Sequence, residues 1–67
     1  MNREQLIRAL RRYARKRGLV FVLDTKKGRG SHYWVQVGSE STIVQDKLNP
    51  ARIERILKQL KVSAGDL

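Results

Sequence analysis

The sequence predicts a small α+β domain over residues 1–67, with the order helix, three antiparallel strands, helix, and both helices on one face of the sheet. Three observations carry this. Apolar residues recur at three- and four-residue spacing near both ends of the chain. Between them lie short β-branched and aromatic runs with period two. A Gly38-Ser39 pair separates two of those runs, as a tight hairpin requires.

The first helix is expected over residues 3–17. Asn2 and Gln5 have the spacing of a capping box, with Arg3 at the first helical position. Leu6, Ile7, Leu10, Tyr13 and Ala14 gather on one face, and Arg8, Arg11, Arg12 and Arg15 on the opposite one. Gly18 supplies a left-handed stop. Residues 19–24, Leu-Val-Phe-Val-Leu-Asp, are too short an apolar run for a helix and predict a first strand. After a loop at residues 25–30, a second strand is expected over 31–37. There Tyr33, Val35 and Val37 share one face and His32, Trp34 and Gln36 the other. Gly38-Ser39 turns the chain into a third strand, 40–45. The final helix, about 50–61, has Asn49 as N-cap, Pro50 at its first position and Leu48 placed to staple against Ile53. Ile53, Ile56, Leu57 and Leu60 form its apolar stripe, Glu54 is spaced to pair with Lys58, and the tail after Val62 is expected to fray. Two helices cover one face of such a sheet, so the face bearing His32, Trp34 and Gln36 is left open.

Fifteen Lys and Arg against six Asp and Glu give 67 residues a formal net charge of +9, which makes nucleic acid the expected partner. The longest apolar run, residues 19–23, is too short to span a bilayer, and a soluble, cytoplasmic protein is expected. There is no cysteine, hence neither a disulfide framework nor a thiolate zinc site. One histidine, and carboxylates at Asp24, Glu40 and Asp46 without ligand spacing, predict no metal and no cofactor.

His32 lies in Gly-Arg-Gly-Ser-His-Tyr-Trp, a basic glycine-rich loop running into a strand, and is the best-placed residue for chemistry. A lone histidine also serves merely structural ends. One imidazole can nevertheless move a proton to or from an oxygen, and RNA carries its own nucleophile, the 2′-hydroxyl. Lys26, Lys27 and Arg29 would supply charge to phosphates, while the glycines Gly28 and Gly30 let backbone N–H groups approach them, with Ser31 as a further RNA-binding candidate. An ordinary soluble hairpin loop has the same composition. It is not a Walker loop, because no Gly-Lys-Ser/Thr opens a helix. Seven basic residues against one acidic residue between Arg3 and Arg17 suit a face that tracks phosphates, although a solvated face with a Glu4–Arg8 pair also accounts for Arg8, Arg11, Arg12 and Arg15. Trp34 is a stacking platform for a base, a contact for a protein partner, or simply a cover for a sheet edge.

Helix, strand, Lys-Gly-Arg-Gly-Ser-His32, hairpin, Thr42-Ile43-Val44 and Ile53-Glu-Arg-Ile-Leu-Lys-Gln-Leu60 together resemble the HicA family, toxins of bacterial and archaeal toxin–antitoxin pairs that cleave messenger RNA. The resemblance covers residues 5–62, and its specific parts are Gly30-Ser31-His32 and Ile56-Leu57-Lys58-Gln59-Leu60. It implies a fold like the double-stranded-RNA-binding domain, His32 as catalytic histidine, and a HicB-type antitoxin that masks the His32 face. Many members carry a proline and then a histidine after the third strand, where this chain reads Val44-Gln45-Asp46-Lys47. A second-histidine role is therefore missing, and Lys26, Lys27 or solvent is left to protonate the leaving group. The expected activity is a metal-independent endoribonuclease. A non-catalytic RNA-binding module, or an interaction subunit using its open sheet face, would share the same basic surface.

Overall fold

In the computed structural model, which describes residues 1–27 and 30–67, α1 (Arg3–Arg17) leads into β1 (Phe21–Asp24), β2 (Tyr33–Val37) and β3 (Glu40–Val44), followed by α2 (Pro50–Leu60) and a 3₁₀ turn at Ala64–Asp66. The strands form an antiparallel meander in the order β1-β2-β3. This is the predicted α+β order.

The capping box forms as the spacing requires: the Gln5 amide donates to Asn2 Oδ1 at 2.8 Å, and the Asn2 amide donates to Gln5 Oε1 at 2.9 Å. Gly18 closes α1 with φ 66°, and the Leu19 N–H donates to the Ala14 carbonyl at 2.8 Å, the six-to-one bond of a Schellman motif. That bond corrects the predicted start of β1. With its N–H taken by the helix end, Leu19 does not enter the ladder, and pairing begins with Phe21 opposite Val37. The second strand likewise starts two residues late, at Tyr33, and the third ends at Val44, because Tyr33 and Val44 are each other's last partners. At the hairpin, Gly38 has φ 62° and Ser39 a negative φ, the pattern of a type II′ turn.

This register puts Phe21, Leu23, Tyr33, Val35, Val37, Thr42 and Val44 on the helix-covered face and Val22, Asp24, Trp34, Gln36, Ser41 and Ile43 on the other. The core follows the predicted apolar sets: Leu6, Leu10, Val35 and Val44 are fully buried, and Ile56, Leu57 and Leu60 close it from α2. A fully buried aliphatic side chain of this kind contributes about 1.5–3 kcal/mol. The Thr42 hydroxyl, at the edge of this core, donates to Gln59 Oε1 and ties β3 to α2.

Asn49 Oδ1 accepts from the Arg52 amide at 2.8 Å, Pro50 occupies the first turn, and Leu48 and Ile53 both pack partly against the core, as a staple would place them. The last helical residue is Leu60. Lys61 takes the left-handed conformation, φ 57°, and the Val62 N–H returns to the Leu57 carbonyl at 2.9 Å. The expected fraying after this point is not found. Val62 is buried, residues 64–66 form the 3₁₀ turn, and Asp66 pairs with Arg17 at 3.1 Å. Neither the Glu4–Arg8 nor the Glu54–Lys58 pair closes. Among the described residues the ion pairs run between elements instead, as Arg3–Asp46, Arg17–Asp66 and Lys61–Glu40. No helix among the described residues is long and apolar enough to cross a membrane.

Candidate nucleic-acid interface around His32

His32 stands one residue ahead of β2. Both neighbouring strands stop just short of it, β1 at Asp24 opposite Trp34 and β3 at Val44 opposite Tyr33. The imidazole therefore lies at the end of the sheet, half-buried and outside the core. Carried one residue back along the alternation of β2, it belongs to the side of Trp34 and Gln36.

The approach to His32 is organised from β1. The Asp24 carboxylate accepts from the amides of Lys26 at 2.8 Å and Lys27 at 3.0 Å, an Asx turn that folds the loop back over the sheet. This brings the Lys27 ammonium to 4.1 Å from the centre of the Trp34 ring, within cation–π range. Gly30 takes φ 60° just before Ser31, a conformation that a side chain at this position would strain. Gly28 and Arg29 lie outside the described residues, so the phosphate role expected of Arg29 has no structural placement here. Trp34 is half-buried rather than fully exposed. With Val22 (38 % exposed) and Ile43 (41 %) it makes an apolar band across the open sheet face.

For Arg3 the sequence predicts the first helical position and a share in the basic charge of that helix. Its guanidinium donates through Nη1 to the Ser31 carbonyl, lies 3.7 Å from the centre of the Tyr33 ring, and approaches Asp46 Oδ1 to 3.4 Å through Nη2. A signal for this was present: Arg3 lies four residues before Ile7 and seven before Leu10, on the buried face.

The arginines expected to track phosphate separate from this site. Arg8, Arg12 and Arg15 project from α1 directly opposite its core residues, so they point away from the sheet, whereas Trp34 lies beyond the sheet on its other side. Arg11 sits on the flank, its guanidinium carbon 5.3 Å from the centre of the Phe21 ring. The structure thus gathers His32, Ser31, Lys27 and Trp34 at one end of the sheet and puts the arginine stripe on the opposite surface. Comparison with protein-family models, curated proteins and solved structures finds no significant match to this chain.

Proposed function

We propose that this protein is an endoribonuclease that cleaves single-stranded messenger RNA without a metal ion, using His32 for proton transfer, and that it acts as the toxin of a toxin–antitoxin pair. The observation that carries this reading is the setting of the only imidazole. It lies clear of the core at the end of the sheet, two residues from an aromatic face that already holds the Lys27 cation. An unpaired base stacked on Trp34 would leave its phosphate near both groups.

The chemistry is an internal transfer. His32 takes the proton from the 2′-hydroxyl, the 2′-oxygen attacks the adjacent phosphorus, and the bond to the 5′-oxygen breaks, giving a 2′,3′-cyclic phosphate and a 5′-hydroxyl. Lys26, Lys27 and Arg29 offset the charge that builds on the phosphoryl oxygens, and either lysine or solvent protonates the leaving oxygen. The carboxylates beside the site are already engaged: Asp24 caps the loop and Asp46 pairs with Arg3. Among the described residues no three histidine or acidic side chains gather as a metal-binding group.

A basic nuclease surface in a cell full of RNA has to be masked. The apolar band of Val22, Trp34 and Ile43, set in a chain of net charge +9, suits an acidic HicB-type antitoxin that covers Trp34 and His32 together. The deciding experiment is incubation of the purified protein with RNA in EDTA, followed by end-group analysis. Cyclic phosphate or 3′-phosphate ends paired with 5′-hydroxyls, lost when the scissile 2′-hydroxyl is replaced by hydrogen, are expected. Products with 5′-phosphates, or cleavage only on adding Mg²⁺, would refute the mechanism. A short adjacent reading frame encoding an acidic protein would support the toxin assignment.

A further inference from the structure

We infer that Arg3 is the positioning residue of His32. The inference rests on the proposed role of His32 and names what holds that side chain in place. Among the described residues no side-chain hydrogen bond orients the imidazole, and its strand neighbours have both ended, so the backbone on either side sets where the ring stands. A single guanidinium grips both sides. It donates one N–H to the carbonyl of Ser31, the residue before His32, and it stacks at 3.7 Å on the ring of Tyr33, the residue after it. Asp46, from the connection between β3 and α2, holds the same guanidinium at 3.4 Å. Arg3 is thereby withdrawn from solvent, with 15 % of its side chain exposed, although it belongs to a helix whose other arginines, Arg8, Arg11, Arg12, Arg15 and Arg17, are open to water.

The arrangement depends on arginine chemistry. A planar guanidinium can stack on a ring with its face while its edge donates to a carbonyl and a carboxylate in different directions. A lysine ammonium, a compact point charge, can replace the charge but not the three simultaneous contacts. Arg3 touches no reacting atom in this scheme. It joins the start of α1, the loop carrying His32 and the loop after β3 at one point, so loss of the contact releases the His32 loop without opening the core.

Because His32 is the only histidine, its ring gives a single set of imidazole signals in NMR. The experiment compares the protein with Arg3→Lys, Arg3→Gln and Asp46→Asn, using Arg17→Gln as a matched control. Arg17 makes the same kinds of contact, with the Tyr13 ring at 4.9 Å and with Asp66, at the far end of α1. The His32 signals should shift and broaden in both Arg3 variants, less in Asp46→Asn, and stay put in Arg17→Gln. RNA cleavage should lose up to about 100-fold in kcat with KM unchanged, the size expected when a catalytic group is misplaced by about 1 Å. Arg3→Lys should not rescue it. Unmoved His32 signals in folded Arg3→Lys, or full activity restored by that lysine, would overturn the inference. If Arg3→Gln fails to fold, Arg3→Lys and Asp46→Asn decide in its place. Should the unaltered protein cleave no RNA, the ribonuclease proposal falls, while the NMR comparison still decides the role of Arg3.

Discussion

The side chains proposed to do the chemistry contribute little to the fold. His32 lies outside the core and ahead of the strand ladder, so His32→Ala should leave the circular dichroism spectrum and Tm nearly unchanged. Cleavage should fall by about 10²–10⁴ in rate, the usual cost of removing a general acid or base, with RNA affinity retained. Cleavage at the original rate in the alanine variant would remove His32 from the mechanism; loss of folding would mean that the imidazole is a packing group. Trp34 is tested by binding instead. Trp34→Ala removes a base-stacking face worth about 1–3 kcal/mol and the ring that holds Lys27, so affinity for single-stranded RNA should weaken by that amount. The same substitution should loosen the complex with an acidic antitoxin more than loss of a single lysine at its rim. Trp34 is the only tryptophan, so its fluorescence should shift and become protected from quencher on complex formation.

At the level of elements, the sequence showed what begins both helices and what ends α1, because these caps are local: Asn2 with Gln5, Gly18, and Asn49 with Pro50 all act within four residues of their own position. Period-two alternation in β2 likewise sorted Val35 and Val37 from Trp34 correctly. Contacts between elements were not legible. The Arg3 cluster spans 28 positions from Arg3 to Ser31, and the order of residues along a helix does not say which loop an inward arginine will meet. The strand starts slipped for a related reason, since the Schellman bond at Leu19 takes a donor that composition assigns to the sheet. Lys61 is the one non-glycine residue described with positive φ, and nothing in its residue type announces that. For an L-residue the left-handed conformation costs about 1–2 kcal/mol, whereas glycine gives back about 0.5–1 kcal/mol in unfolded-state freedom. Lys61→Gly should therefore stabilise the domain by about 0.5–1 kcal/mol in urea unfolding. The solvent-exposed Lys61–Glu40 pair that it removes weighs little against this. A destabilised glycine variant would show that this pair, or the lysine stem, outweighs the backbone strain.

The whole molecule holds the Lys27–Trp34 end of the sheet and the arginine stripe of α1 on surfaces separated by its own thickness. The Cα extents are 30 × 23 × 17 Å, and the α/β layering puts the sheet and the core between Trp34 and the stripe of Arg8, Arg12 and Arg15. A short oligonucleotide seated at His32 cannot reach that stripe, whereas a long RNA can pass around the edge of the domain and engage both. Two consequences distinguish the surfaces. Each phosphate neutralised on a single strand adds about −0.7 to the slope of log affinity against log salt, so long RNA should show a steeper slope than a short oligonucleotide. Arg12→Glu and Arg15→Glu should weaken binding of long RNA and flatten that slope, without altering which sequence is preferred, because phosphate contacts carry no base information. The short substrate should bind and be cleaved by these variants as before. Equal losses on short and long RNA would place the arginine stripe inside the catalytic footprint, and no loss on either would make it a solvated helix face. A salt-independent affinity for long RNA would remove the electrostatic basis for RNA as the partner of this +9 chain.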